Sequence, residues 1–403
     1  MTLTLLLDLD DTLLHSNTDV LIPAYFEKLA GFLAHRVNPK LLINELLAGS
    51  ELMFKNQRPD LTLDQVFSQY FFPAISVERG EIQPELERFY DEVFPTLKDF
   101  TTPRQGGVEL VDYAFAQQWQ VVIATNPLFP RKAIEHRLRW AGLSPEKYPF
   151  ALITSMENSH FTKTTPAYYA EILGKLGWAS GPVLMVGDDP QMDMLSAAKA
   201  GLPIYWIRSE GTFAPTELQN VPQGTFADFQ GWIRVVDVNS LQAELKNPAA
   251  LVSSLQSAPA VLDTLLRGLA PAEWASRPDP DEWAITEILC HLRDLDLEVN
   301  IPRLDTFLAS ENPFITGQNT DPWAEERNYI AQDGPAAFRN FVAARLELVE
   351  KLQALTPEGW QRRGRHTIFG PTYLQELIGF VAEHDRTHIQ QAITIQRAVC
   401  ETR

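Results

Sequence analysis

Five short apolar runs separated by amphipathic stretches constrain this chain more than any other feature. They are "LTLLLDLD" from Leu3, "VVIAT" from Val121, "ALITS" from Ala151, "VLMVGD" from Val183 and "PIYWIR" from Pro203. Each is of strand length and nearly continuous in its hydrophobicity, as a strand buried on both faces must be. Between most of them lie helical patterns, such as "RKAIEHRLRWAGL" from Arg131 and "MDMLSAAKAGL" from Met192. Strand and helix in alternation predict an α/β doubly wound parallel sheet of Rossmann type. The gap between the first two runs is too long for one crossover. Residues 16 to about 105 carry helical patterns of their own ("PAYFEKLAGFLAHRV", "PKLLINELLAGSELMFKN", "LDQVFSQYF", "PELERFYDEVF") and predict an inserted helical cap over the sheet edge.

After about residue 236 the strand signals stop. The stretch 237–247 reads as a linker, and helical patterns follow over roughly 248–268, 284–309, 333–356 and 372–398. Turns rich in Pro, Gly and Asp separate them. Four helices of this length predict an all-α four-helix bundle over 248–403. A chain of 403 residues suits two such domains.

Composition narrows the partners. A formal charge of −18 argues against nucleic acid or an anionic membrane, both of which need a basic surface. Two cysteines, Cys290 and Cys400, make no disulfide framework and suit a reducing cytosol. No basic segment precedes the first apolar run, which meets Asp8 early, and no run approaches about 18 apolar residues. The expectation is a cytoplasmic protein.

The chemistry of the first domain collects at strand ends, where doubly wound sheets bind their ligands. Asp8 and Asp10 end the first strand, two residues apart and therefore on one side of it. Carboxylates brought together repel, and a bound hard cation relieves this. Thr125 ends the second strand, Asp188 and Asp189 end the fourth, and Asp193 follows. Lys163 opens a helix in "FTKTTPAYY". Acids, a hydroxyl, a lysine and Mg²⁺ compose a phosphoryl-transfer set. Any one of these alone is routine, since Asp at strand ends and Thr at helix caps are common.

Four of these segments together resemble the haloacid dehalogenase superfamily of hydrolases. "DLDDT" is similar to its Asp-x-Asp-x-Thr motif and "VVIATN" to its apolar strand ending in Thr or Ser. "KTTPAYY" resembles its Lys-Pro-x-Pro-x-x-Phe/Tyr motif and "GDDPQMD" its Gly-Asp-x-x-x-x-Asp, in that order over residues 3 to about 236. The resemblance implies that Asp8 is the nucleophile that becomes an aspartyl-phosphate and that Asp10 is acid, then base. It implies that Thr125 and Lys163 hold phosphoryl oxygens. Asp8, the Asp10 backbone carbonyl and Asp188 would bind Mg²⁺, with Asp193 in or near that shell. Having Asp10 favours a phosphatase over a dehalogenase. Thr164 stands where the family usually has Pro. Asp189 stands where Ser or Thr is common, and could share the metal role with Asp193.

In the second domain, His384 and His388 fall four apart in "AEHDRTHIQQ", on one face of a helix. His291 lies in another helix, "WAITEILCHLRDLDLE". Imidazoles on facing helices of a bundle can hold a transition metal, and three ligands leave a position open. This region, about 245 to 399, resembles the DinB-like four-helix proteins: "EWAITEILCHLRDLDLE" is similar to their Trp-x-x-x-Glu-x-x-x-His-Leu-x-Asp segment. "IFGPTYLQELIGFVAEHDRTHIQQ" is similar to their closing segment with His-Asp-x-x-His-x-x-Gln. Carried over, His291, His384 and His388 would be the ligands of Zn²⁺, Ni²⁺, Fe²⁺ or Mn²⁺.

The expected activity is a Mg²⁺-dependent phosphatase acting on a small phosphorylated metabolite. Two alternatives stand beside it: metal-dependent thiol transfer in the bundle with the first domain auxiliary, or a bundle that only binds or forms a homodimer.

Overall fold

The computed structural model describes residues 2–178, 181–208 and 215–401. They form two compact units, residues 2–169 with 181–243, and residues 170–178 with 244–401.

The first unit is built on a six-stranded sheet, all parallel. Its strands are β1 (Thr4–Leu7), β2 (Gln120–Ile123), β3 (Leu152–Ile153), β4 (Val183–Gly187), β5 (Ile204–Ile207) and β6 (Gln223–Gly224), in the order β3-β2-β1-β4-β5-β6. β1 lies between β2 and β4, with Leu5 opposite both Val121 and Leu184. Leu5, Leu6 and Leu7 are fully buried, which explains why the run carries no polar face. The chain winds outward from β1 through β2 to β3, then returns to the other side of β1 at β4. The reversal opens a crevice at the carboxyl ends of β1 and β4, where a ligand can sit.

Between β1 and β2 the chain makes a long helical excursion. Its helices are Thr18–Phe32, Pro39–Lys55, Leu63–Ala74 and Arg79–Arg88, followed by tighter and looser turns through Phe100. Local chemistry punctuates them: Asn38 caps the second helix, and Thr62 and Gln65 form a reciprocal capping box on the third. The two ends of the excursion are tied by an antiparallel pair, Leu14–His15 with Thr102–Pro103. The insertion is therefore closed on itself beside the end of β1.

The second unit contains the helices Pro248–Leu266, Ile285–Leu295, Gly334–Gln353 and Leu374–Glu401. The second of these runs on through a π-helical turn, Asp296–Asn300, into Ile301–Ala309. Contrary to the expectation that no run approaches about 18 apolar residues, helix Pro248–Leu266 is long and apolar enough to meet the length and composition of a membrane span; it is mostly buried within the protein. A small sheet departs from the all-helical expectation: Arg363–His366 pairs antiparallel with Gly370–Tyr373 and parallel with Phe314–Ile315. These strands occupy stretches whose Pro and Gly content reads as turns.

The boundary also differs from the one read in sequence. Residues 237–243, expected as linker, belong to the first unit: the Leu241 carbonyl accepts from the Val183 amide at 2.8 Å. Residues 170–178, expected in the first, belong to the second.

Candidate active site and metal centre

At the carboxyl edge of the first sheet, Asp8, Asp188 and Asp193 bring carboxylate oxygens within 4.8 Å of one another. Asp8 follows β1, and Asp188 follows β4. Asp193 lies in the π-helical turn Pro190–Leu195 and is 1 % exposed. Its Oδ2 accepts from the amides of Asp188 and Asp189, both at 3.1 Å, so the backbone turn fixes its rotamer. Gly187 sits against it, and a Cβ there would collide with the carboxylate. The buried ammonium of Lys163 donates to Asp193 Oδ1 at 2.6 Å and to Asp8 Oδ1. Burial disfavours the charged amine, but the two carboxylates outweigh it and raise its pKa. The carboxyl of Asp188 is raised as well, above the range of a free carboxylate. Burial, then Asp8 and Asp193, push it up to about 8. Such crowding of acids around one spot fits a hard divalent cation with oxygen ligands.

Asp189 does not join this cluster. Its Oδ1 caps the following turn, accepting from Gln191 and Met192 at 2.8 and 2.7 Å. Asp10, two residues beyond Asp8, has partners the sequence did not name. It pairs with Arg137 and accepts from Ser16. Arg137 comes from helix Arg131–Trp140 and is 3 % exposed. Thr125 is buried at the end of β2, where its carbonyl accepts from Thr154 at 2.7 Å and Tyr168 at 2.8 Å. Thr164, in the place of the usual proline, shares a hydrogen bond with Thr162 at 2.7 Å, and the helix starts two residues later at Pro166.

In the second unit, three imidazoles converge. His384 Nε2 lies 3.3 Å from His291 Nε2 and 3.2 Å from His388 Nε2. Burial first, then the neighbouring imidazoles, lower His291 to about 3; burial and His384 lower His388 to about 4. Neutral rings with nitrogens facing one point are what a transition metal requires. The far side of His388 is also arranged. Its Nδ1 meets Gln391 Oε1 at 3.1 Å, and Gln391 donates to Glu282 at 3.2 Å. That bond places the proton on Nδ1 and leaves Nε2 as the donor of a lone pair. Trp283 stacks on His388 with 3° between the ring planes.

Beneath this triad lies a charged cluster the sequence did not reveal. Arg345, fully buried, donates from Nε to Asp296 Oδ2 at 2.7 Å and from Nη2 to Asp385 Oδ1 at 3.2 Å. Asp296 opens the π-helical turn five residues beyond His291, and Asp385 follows His384. One guanidinium from helix Gly334–Gln353 thus bridges the two helices that carry the imidazoles. Neither Arg345 nor Arg137 has a local sequence signal, because an Arg among helical residues reads as solvated until its partner is known. The Asp after His384 stands in the quoted segment and is the one signal that could have been followed.

Residues 2–201 match the family model of the haloacid dehalogenase-like hydrolases, and residues 254–392 match that of the DinB superfamily. Among curated proteins, YuaE of Bacillus subtilis (strain 168) is 23 % identical over 145 residues, 33 % of this chain and 90 % of YuaE. Among solved structures, a HAD phosphatase from Thermococcus onnurineus is similar with 15 % identity and a TM-score of 0.39, over 58 % of this chain and 98 % of that one. YfiT from Bacillus subtilis, of four-helix bundle topology, is similar with 18 % identity and a TM-score of 0.34, over 37 % of this chain and 86 % of that one.

Proposed function

We propose that this chain, a haloacid dehalogenase-like hydrolase over residues 2–201 and a DinB-superfamily protein over residues 254–392, is a Mg²⁺-dependent phosphatase of a small phosphorylated metabolite. The observation that carries the reading is the buried Lys163 ammonium held between Asp8 and Asp193 at the sheet edge. A phosphoryl group needs this combination of nucleophile and fixed positive charge.

Asp8 attacks phosphorus, and its carboxylate forms a P–O bond as the bond to the leaving oxygen breaks. Asp10 gives that oxygen its proton, then takes one from the water that cleaves the aspartyl-phosphate. Inorganic phosphate leaves and Asp8 is restored. Lys163 and Thr125 hold the phosphoryl oxygens throughout. Asp8, Asp188 and the backbone carbonyl of Asp10 would hold Mg²⁺, with Asp193 beside them. When bound, that ion neutralises charge on the phosphoryl group.

The test is Asp8→Asn. It should abolish Mg²⁺-dependent hydrolysis of an aryl phosphate while the melting profile stays that of wild type. Activity above a tenth of wild type in a folded variant removes Asp8 from the role.

For the second unit, the convergence of three Nε2 atoms favours a divalent transition metal site with a position left open. Thiol-dependent turnover that survives Asp8→Asn would make the bundle a second active site; its absence would leave a binding module.

A further inference from the structure

We propose that the leaving group of the substrate is an uncharged, predominantly hydrocarbon alcohol, received by a cavity under the helical insertion. This rests on the phosphatase reading and adds to it the chemical class of the ester.

The cavity has a volume of about 700 Å³, within the range of small-molecule sites. Packed interiors leave few voids larger than a water, so a space of this size is not ordinary core. Its walls come from the insertion helices, from the loop residues 128–130 that follow Thr125, from the start of helix Arg131–Trp140 and from Met156 and Glu157. Phe26, Leu46, Phe67, Phe71 and Phe129 give the walls their apolar character.

The polar groups on the walls are already engaged with each other. Arg79 pairs with Asp64 at 2.8 Å, Lys132 with Glu87 at 3.0 Å, and Arg131 with Glu135 at 2.7 Å. The hydroxyls of Tyr25 and Tyr90 share one hydrogen bond at 3.0 Å. A second anionic group on the substrate would therefore meet cations that are already neutralised. The hydroxyls of a sugar or polyol would lose water and find few partners, which disfavours their burial. A hydrocarbon body loses nothing and gains contact with the aromatic walls.

The cavity also adjoins the chemistry. The ring of Phe129 lies 5.3 Å from that of Tyr25. The guanidinium of Arg137, which pairs with Asp10, lies 5.2 Å from the same Phe129 ring. One aromatic ring of the cavity wall and one guanidinium thus lie between the cavity and Asp10, the residue assigned to protonate the leaving oxygen.

The test compares octyl and benzyl phosphate with glycerol 3-phosphate, using the full chain with Mg²⁺. All three leave as alkyl alcohols, so the comparison reports the body of the ester more than the ease of bond breaking. The expected result is a kcat/KM at least tenfold higher for the apolar esters. Phe67→Glu should lower that ratio at least tenfold, and Phe26→Glu, at a partly exposed wall position, serves if the first variant fails to fold. Octanol alone should raise the melting temperature of wild type and not of the variant. Asp8-dependent hydrolysis that favours glycerol 3-phosphate, or a ratio that neither variant changes, overturns the inference and leaves the phosphatase reading intact. No Asp8-dependent hydrolysis of any ester, nitrophenyl phosphate included, overturns both.

Discussion

Arg137 and Asp10 form an ion pair in the first unit, the guanidinium 3 % exposed and the carboxylate also bonded to Ser16. A buried cation that holds the proposed acid should make the two residues act as one. Arg137→Met and Asp10→Asn should each slow alkyl phosphates far more than nitrophenyl phosphate, because poor leaving groups need the proton. The double variant should be little worse than either single one. Additive losses in this cycle would mean that Arg137 does not position Asp10.

The imidazole triad makes a separate prediction. His291→Ala, His384→Ala and His388→Ala should each strip most of the transition metal from the purified full chain, since each removes one of three ligands. Mg²⁺-dependent phosphatase activity should persist in all three, because its proposed ligands are oxygens of other residues. Elemental analysis beside an aryl phosphate assay checks this. Wild type without stoichiometric metal, and without thermal stabilisation by Zn²⁺, Ni²⁺, Fe²⁺ or Mn²⁺, would remove the site.

Protons should compete with that metal and with the fold. His291 and His388 are lowered from 6.5 to about 3 and about 4, so the unfolded chain takes up protons first. Their contribution is complete above about pH 6.5 and is lost as pH falls from there towards the folded values, at about 1.4 kcal/mol per unit for each group. Metal-free protein should therefore melt earlier at pH 5 than at pH 7.5. The His291→Leu, His388→Leu double variant should show a shallower fall over the same range, measured by thermal unfolding.

Arg345 offers a test of buried charge. Removing one member of such a cluster strands the others, so Arg345→Met should destabilise the protein by about 3–5 kcal/mol. Replacing Asp296, Arg345 and Asp385 together with apolar residues of similar volume should restore much of that stability. Metal affinity should stay low in the triple variant, because the tie between the two ligand-bearing helices is gone. Denaturant unfolding and metal titration of the two variants give both answers.

The strand runs and the residues at their ends were legible because burial and function both act there on a few adjacent positions. Asp8 and Asp188 come together from neighbouring strand ends, and Lys163 and Asp193 join them from the segments beyond. The histidines were legible because a helix turns an i, i+4 spacing into a shared face. What stayed hidden depends on pairing across distant parts of the chain. Nothing near Arg137 says that it turns inward to Asp10, and nothing near Arg345 names two aspartates on other helices. The split between Asp189 and Asp193 was equally closed. It is decided by whether a carboxylate caps the next turn or points back to the amides before it. The small sheet around Arg363–His366 escaped notice because its strands are short and bounded by Gly and Pro.

Gly187 contributes no functional group, yet its missing side chain makes the room in which Asp193 stands upright against Lys163. In a saturation library this position should be as intolerant as Asp8, with even alanine scoring as a loss. Anyone transplanting these carboxylates to another scaffold would have to carry an empty place along with the acids.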